Sequence, residues 1–498
     1  MKILLIDPPT KHLKGADNPR AFFPLGLLSI ASVLKKENYD VVIYDTKVSG
    51  KMYKNDGMVH FGDNWGIIDK KIRGYKPDVV GISNLFSSQF PNAIKVAQIT
   101  KEVDKGIISI VGGPHGSVRP DDFLKEGCVD FVVMGEGEYT IIELLRHLRE
   151  KRNKPTGING ISFRDNGKII INERREFIQD LDSLPLPAFD LIDIEKYFLL
   201  QKKGFGPRPL ATNNRAVSLF TSRGCPYNCV FCSIHLSMGK KFRAHSATYV
   251  LNLIDTLIHR YKVNFIHFED DNFTFDKVRL RQILSGILTS KIKFKWGTPN
   301  GVRADTLDDI DLLSQMQEAG CDYLNIGIES GDQKVLDTVI DKRLDLNVVV
   351  NIAQKCRKLN LKLSAFFVVG FPGETVENIK STVKFALMLQ RKYNVFPFIS
   401  YATPLIGTRL YDIALKGGYL TKNIDATTLL LATHHQGEAL IKTEGFTPER
   451  LKKMVNRMHL FVLLDVFIKS MFSPLLLMQN IKISLRNPYI IKRYIFGY

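Results

Sequence analysis

The stretch from Thr221 to Ser233 constrains this chain most: Thr-Ser-Arg-Gly-Cys-Pro-Tyr-Asn-Cys-Val-Phe-Cys-Ser, with Cys225, Cys229 and Cys232 spaced C-x3-C-x2-C. It follows the short apolar run Val217–Phe220, so the three thiols are expected in a loop at the end of a strand. Thiolates are the usual ligands of iron–sulfur clusters, and a four-iron cubane normally takes four of them. Three in one loop leave one iron without a protein ligand, an open coordination site of the kind that catalytic metal centres keep. Gly224 and Pro226 suit a loop wrapped closely around an inorganic core, and Phe231 places an aromatic ring beside the last cysteine. A zinc site would require a fourth ligand, for which His235 is the nearby candidate.

The other cysteines, Cys128, Cys321 and Cys356, stand alone in apolar or helical contexts, where a thiol acts as a small hydrophobe. Six cysteines in 498 residues suggest no disulfide framework, so a reducing, cytoplasmic setting is expected. The apolar run at Met1–Asp7 reads as a strand rather than a signal peptide. No stretch reaches the roughly 18 apolar residues of a spanning helix. The net charge of +18 leaves nucleic acid, an anionic membrane surface or an acidic substrate to be told apart by where the charge lies.

Residues 1–150 alternate strand and helix. Apolar runs at Lys2–Ile6, Val41–Tyr44, Asp78–Ser83, Gly106–Val111 and Asp130–Met134 predict strands; Leu25–Lys36 and Ala93–Val103 have helical spacing. The pattern implies a parallel, doubly wound sheet, whose ligands bind at the carboxyl ends of the strands. The residues there are Ser83, Gly112, Gly113, His115, Gly135, Glu136 and Gly137. Residues 151–215 read as a connector, with a hairpin at Ile161–Asn172 turning on Asp165-Asn-Gly167 and a Gly/Pro/Lys/Arg-rich stretch at Lys202–Asn214.

From residue 216 to about 410 the alternation resumes. Strands are expected at Val217–Phe220, Phe265–Phe268, Phe294–Gly297 (running on towards Arg303), Tyr323–Ile328, Leu363–Val369 and Phe396–Tyr401. Helices are expected at Tyr249–Tyr261, Asp308–Ala319, Leu346–Leu359 and Thr375–Leu389. Polar and glycine residues cluster at the strand ends, which implies an open partial (β/α)6 barrel. Residues 411–498 form a mainly helical, basic region. From Leu451 onward Asp465 is its sole acidic residue against eight Lys and Arg, and bulky apolar side chains run through it. Such a tail fits either a membrane-surface element or a helical cap with a solvated basic face. It lacks the repeated aromatic–basic platform of single-strand binders, so no nucleic-acid partner is expected.

The cysteine spacing with an aromatic before the third cysteine resembles the radical S-adenosylmethionine (radical SAM) superfamily. The N-terminal half is similar to the cobalamin-binding domain that precedes the radical SAM domain in one large subgroup, through Pro24-Leu-Gly-Leu, Val80-Gly-Ile-Ser83, Val111-Gly-Gly-Pro-His115 and Gly135-Glu-Gly-Glu138. In arrangement the chain most resembles the family of the magnesium-protoporphyrin monomethyl ester oxidative cyclase and the hopanoid methylases, over roughly residues 1–410. The resemblance implies a 4Fe-4S cluster held by Cys225, Cys229 and Cys232, with S-adenosylmethionine on the open iron. It implies Asp270 and Asp271, of the run Glu269–Asp271, for the methionyl amine and Glu329 for the ribose. Gly370 and Gly373 would lie against adenine, with Phe231 beside the site and Arg303 either on the cofactor carboxylate or in a structural ion pair. His267 and Trp296 are read as core. One departure is plain: cobalamin domains that lend cobalt a histidine carry D-x-H-x-x-G, whereas four residues here separate Asp7 from His12, and His12 is read as solvated.

The implied activity is generation of a 5′-deoxyadenosyl radical and, with cobalamin, methylation of an unactivated carbon of a hydrophobic substrate. An electron donor such as flavodoxin or ferredoxin and peripheral contact at the inner membrane surface are expected with it. Two alternatives stay open: a radical cyclisation or oxidation with a vestigial cobalamin domain, which would bind no corrinoid, and a non-enzymatic iron–sulfur sensor or RNA-binding protein, which would release no 5′-deoxyadenosine. No catalytic side chain is singled out.

Overall fold

The computed structural model describes residues 1–13, 19–55, 57–150, 155–207, 215–433 and 437–471. Five apolar segments, Asp40–Asp45, Lys2–Asp7, Val79–Ser83, Ile108–Gly112 and Phe131–Val133, lie side by side in that order as a parallel sheet. Their side chains are buried on both faces, under the helices Leu25–Lys36 and Glu138–Arg149 on one side and Phe90–Val103 on the other. Burial on both faces is why these strands read as continuous apolar runs rather than alternating ones.

Two features differ from the sequence-based expectation. The hairpin Ile161–Asp165/Lys168–Ile171 is not a free-standing part of the connector: Ile161 pairs antiparallel with Val133, so it extends the N-terminal sheet to seven strands. It covers the edge that Phe131–Val133 would otherwise leave unpaired. A three-stranded antiparallel sheet, Thr10–Leu13, Met58–Phe61 and Met52–Asn55, also follows the carboxyl ends of the first two strands in sequence. His12 lies on it half-buried, 2.8 Å from the Thr10 hydroxyl, and burial lowers its pKa to about 4. The expectation of a solvated His12 is corrected accordingly.

The second half is a six-stranded all-parallel sheet in sequence order: Ala216–Leu219, Phe265–Phe268, Lys295–Arg303, Cys321–Glu329, Lys362–Val369 and Phe396–Tyr401. Its helices start at side-chain caps: Ser246 on Tyr249, Asp276 on Arg279, Asp345 on Asn347, and a Thr375/Asn378 capping box. The helix Lys277–Ser290, which the sequence reading did not place, completes the crossover after the second strand. Arg409–Lys416, Ala426–Thr433 and Pro448–Met471 are helical, as expected for the last region. The last of these buries Leu451, Val455, Met458 and Val462 and packs on the helix Val376–Tyr393. Residues beyond 471, including the apolar and basic clusters of the tail, lie outside the described residues, as do 208–214 of the connector.

Candidate active site

The cysteine loop is rooted in a two-residue antiparallel pairing, Ser222–Arg223 with Arg243–Ala244. Gly224 has φ +82°, and a Cβ there would stand 2.3 Å from the Lys241 carbonyl oxygen, so no other residue fits. The loop is also fastened from outside. Val230 N–H donates to Ile340 O at 2.9 Å, and Leu410 N–H donates to Val230 O at 2.9 Å. Arg409 bridges the Asn228 carbonyl at 2.9 Å and Asp341 at 3.0 Å.

Cys225, Cys229 and Cys232 are free thiols, each half-buried. Burial pushes all three thiols up, Cys232 to about 12. The N–H of Tyr227 towards Cys225, the N–H of Ile234 towards Cys232 and the Lys342 ammonium near Cys229 act the other way. These are groups that favour thiolates once the protons are exchanged for iron. Among the described residues no three His, Cys, Asp or Glu side chains are gathered tightly enough to hold a single metal ion. His235 places Nε2 3.1 Å from the Cys225 carbonyl oxygen, a contact within the loop. Three thiols without a fourth ligand suit a cubane, which presents three separate irons to them, better than a tetrahedral zinc, which wants four ligands.

The strand ends around the loop gather most of the remaining candidates. Phe231 lies 5.8 Å from the ring of Phe371, which joins the cysteine loop to the Gly370–Glu374 turn. Gly370 and Gly373 have φ +93° and +98°. In the same turn the Glu374 carboxylate accepts the N–H of Gly370 at 2.7 Å and of Phe371 at 2.8 Å. Glu329 is buried with φ +73°, a conformation that costs of order 1–3 kcal/mol in a non-glycine residue and concentrates at functional sites. Its carboxylate is 2.9 Å from Lys342 Nζ. Asp270 is buried and accepts the Thr221 N–H at 3.1 Å and hydroxyl at 2.8 Å, as well as the Ser222 hydroxyl, so it holds the entry to the cysteine loop. Asp271, raised to about 7 by burial and by Asp270, acts electrostatically on both Cys225 and Cys232.

In the N-terminal sheet, Ser83 and Gly112 are register partners at adjacent strand ends. Gly113 has φ +120°, and a Cβ there would meet the Asn84 carbonyl oxygen at 2.3 Å. Gly135 (φ +73°) and Gly137 follow the fifth strand. Three of the side chains read as cofactor contacts have protein partners here. His115 packs its ring against Phe90 and Phe123, with Ser87 Oγ 3.0 Å from Nδ1 and Asp122 3.4 Å from Nε2, and burial lowers its pKa. Glu136 turns its carboxylate to Arg243 at 2.7 Å and Arg223 at 3.0 Å. Arg303 makes the structural ion pair that was one of its two readings: Asp305 at 2.6 Å, with the Lys342 carbonyl at 2.9 Å and a stack over Tyr227 at 3.7 Å. His267 and Trp296 are buried as expected, His267 with Nδ1 2.9 Å from the Tyr323 hydroxyl.

Lys342 and Arg243 escaped the sequence reading, and Arg223 and Glu138, though inside the motifs it quoted, were given no role. Only the tertiary fold brings their partners near. Asp7, where a D-x-H motif would begin, is engaged by the buried Lys47, which also meets Asp45 at 3.0 Å. Burial raises Asp7 to about 6, and Asp45 in turn accepts the Tyr197 hydroxyl at 2.6 Å. A lysine thus occupies the carboxylate that would orient a histidine in that motif.

Residues 219–386 match the Radical SAM superfamily and residues 19–145 the B12 binding domain. The chain is 33% identical over 480 residues to an uncharacterized methyltransferase of Pyrococcus horikoshii, covering 95% of each. It is 29% identical to the cytidylyl-2-hydroxyethylphosphonate methyltransferase of Streptomyces wedmorensis, covering 88% of this chain and 85% of that one. In fold it is similar to the radical SAM methyltransferase TsrM of Kitasatospora setae, with TM-score 0.67 at 15% identity over 90% of this chain and 86% of that one. It is also similar to the cobalamin-dependent radical enzyme OxsB, with TM-score 0.64 at 22% identity over 84% of this chain and 55% of that one. The chain belongs to the cobalamin-binding radical SAM enzymes, the methyltransferase-like family that works with a 4Fe-4S cluster, S-adenosylmethionine and cobalamin.

Proposed function

We propose that this enzyme transfers a methyl group to an unactivated carbon of a hydrophobic substrate bound inside the open barrel. The observation that carries the reading is that the Gly135–Gly137 turn of the N-terminal sheet and the root of the cysteine loop are joined through Glu136 and Arg243, so that the regions we assign to the two cofactors adjoin. Bound there, the cluster with S-adenosylmethionine would supply the hydrogen-abstracting radical and cobalamin the methyl group.

The chain's own part is to position. Cys225, Cys229 and Cys232 would hold the cluster, and Phe231 would pack beside it. Asp271, raised to about 7 by burial and by Asp270, would meet the methionyl amine; Asp270, held by Thr221 and Ser222, would brace the loop entry. Glu329 would accept the ribose hydroxyls, and Gly370 and Gly373 would let adenine approach the backbone. Ser83, Gly112, Gly113, Gly135 and Gly137 would form the edge on which the corrin ring rests.

The substrate class rests on the strand faces turned away from the helices. Phe366 and Phe398 stand there half-buried with ring centroids 5.7 Å apart, next to Phe396 at 5.0 Å from Phe398. Asn325 and Asn300 line the earlier strands, donating to the Pro299 and Glu269 carbonyls. An aromatic wall beside a polar one suits a flat or lipid-like body with a polar handle. Relatives at 26% and 22% identity are an anaerobic magnesium-protoporphyrin IX monomethyl ester cyclase of Rubrivivax gelatinosus and a bacteriochlorophyllide d C-8(2)-methyltransferase of Chlorobaculum tepidum, both named for tetrapyrroles.

A reductant such as flavodoxin or ferredoxin would feed the cluster. The helix Pro448–Met471 carries Leu460, Leu464 and Ile468, 45–50% exposed at four-residue spacing, beyond the exposed cations Lys453 and Arg457. Asp465 is neutralised by Arg391 at 2.7 Å. No described helix is long and apolar enough to cross a membrane, and this face fits reversible contact with an anionic lipid surface. Cobalt and iron analysis of protein produced anaerobically with cobalamin tests the reading. Stoichiometric cobalt beside four irons supports it, and a full cluster without corrinoid would favour radical chemistry of another kind.

A further inference from the structure

Between the two halves lies a buried, charge-balanced network whose members all touch one cofactor region or the other. Glu136 sits in the turn Gly135–Gly137, and Glu138 begins the helix that follows. Arg223, two residues before Cys225, and its register partner Arg243 form the paired root of the cysteine loop. Arg243 Nη1 donates to both Glu136 oxygens, at 2.7 and 2.9 Å; Arg223 donates to Glu136 at 3.0 Å and Glu138 at 2.7 Å. All four side chains are at least 86% buried, since their exposures are 3%, 6%, 14% and 2% for Glu136, Glu138, Arg223 and Arg243.

The connector is stitched into the same place. Ile178 N–H donates to the second Glu136 oxygen at 2.7 Å. Arg174 spans the halves, donating to Ser117 O at 2.6 Å on one side and Leu236 O at 3.0 Å on the other. The ring of Phe177 lies 4.9 Å under the Arg243 guanidinium. It also fills the space beside two glycines: a Cβ on Gly239, behind the cysteine loop, would meet it at 2.6 Å, and one on Gly135 at 4.0 Å.

Buried ion pairs contribute little net stability, because desolvation offsets their attraction; their best-attested use is to fix one geometry among several. Two carboxylates against two forked guanidiniums admit a single arrangement. We infer that Glu136, Glu138, Arg223 and Arg243, with Arg174 and Phe177 of the connector, are positioning residues that fix the spacing between the corrin-binding edge and the cluster. The inference rests on the reading of both cofactor regions given under Proposed function. It explains why Glu136, at a strand end suited to a ligand, spends its carboxylate on the other half of the protein. Methyl carrier and radical must both reach one substrate carbon, and misplacement by about 1 Å can cost on the order of 100-fold in rate.

The test measures the spacing itself. Holoenzyme carrying reduced cluster and Co(II) cobalamin, both paramagnetic, is examined by electron paramagnetic resonance for the magnetic coupling between the two centres. Wild type should show one well-defined splitting. Glu136→Gln should keep its iron and cobalt while the splitting broadens or collapses into a distribution. Arg174→Met, a milder change at an exposed side chain that leaves the four-charge core intact, should broaden it less. If Glu136→Gln does not fold, Arg174→Met alone decides by the same criterion. Splittings identical to wild type in the variants that load would overturn the inference while leaving the cofactor reading in place. A wild type that loads the cluster but no corrinoid would instead sink the cofactor reading, and the inference with it.

Discussion

Glu329 and Lys342, 13 positions apart, meet at 2.9 Å with both side chains less than a tenth exposed. The ammonium also lies near Cys229, so one buried cation links the Glu329 carboxylate to the cysteine loop. Removing one partner of a buried pair leaves the other charge uncompensated. Glu329→Ala should therefore cost about 3–5 kcal/mol of stability. Glu329→Leu combined with Lys342→Met should cost much less, because no charge is stranded. Denaturant midpoints of the cofactor-free variants decide this, and equal losses in the two would show that the pair is not the source. Glu329→Gln, which keeps one hydrogen-bonding oxygen, should weaken S-adenosylmethionine binding about ten- to a hundred-fold, the loss of about 1.5–3 kcal/mol for a charge-assisted bond.

Burial raises Glu374 to about 7, opposed by the Phe371 and Gly370 N–H groups and helped by Asp332. A carboxyl whose folded pKa lies above its unfolded one holds a proton in the fold that the unfolded chain has released. Its contribution to stability is therefore full below the ordinary value of 4.5 and is lost as the pH rises towards 7. The loss for this group is roughly 3 kcal/mol at 1.36 kcal/mol per pH unit. His12 and His245, both lowered to about 4 by burial, act in the opposite direction below pH 6.5, so the test is differential: relative to wild type, the urea midpoint of cofactor-free Glu374→Gln should rise as the pH goes from 4.5 to 7.5. An unchanged slope in the variant would assign the titration to another group, of which Asp271, also raised to about 7, is the first to examine.

Cys225→Ala, Cys229→Ala and Cys232→Ala should each abolish cluster assembly, whereas Cys128→Ala, Cys321→Ala and Cys356→Ala should not. The latter three thiols are buried and raised by that burial, as inert structural cysteines are. Iron and sulfide analysis checks all six. Normal iron in any of the first three would refute the ligand assignment.

The exposed face of the last described helix predicts salt-sensitive binding to anionic vesicles. Since Leu451, Val455, Met458 and Val462 are buried, the whole helix cannot be removed without uncovering the protein behind it. The informative variants are a chain ending at Met471 and the triple substitution Leu460→Glu, Leu464→Glu, Ile468→Glu. Full-length protein should sediment with vesicles at low salt and be released at high salt, each cation near the surface contributing about 1 kcal/mol. Both variants should bind less. Sedimentation equal to that of the full-length protein in both would return this face to a solvated role.

What the sequence disclosed follows from the range of each interaction. The apolar strand runs and the glycines and acids at their carboxyl ends are local patterns, and both sheets and the cysteine loop were legible from them. The turn at Asp165–Gly167 was equally plain, but its hairpin's place beside Val133 is a long-range pairing with no local mark. The strands Thr10–Leu13, Met52–Asn55 and Met58–Phe61 are four residues each, and the first two mix polar with apolar side chains, so all are too short for a clear period. Glu136 read as a ligand group because its partner Arg243 is 107 positions away. Lys342 hid in the charged run Asp341–Arg343, which locally resembles a solvated turn.

The central claim, radical chemistry coupled to methyl transfer by this one chain, is tested most directly by its products. Protein reconstituted anaerobically with iron, sulfide and cobalamin is reduced and incubated with S-adenosylmethionine, and the mixture is analysed by mass spectrometry. The account predicts both 5′-deoxyadenosine and S-adenosylhomocysteine, and loss of the former in Cys229→Ala. A fully loaded protein that forms neither would contradict it.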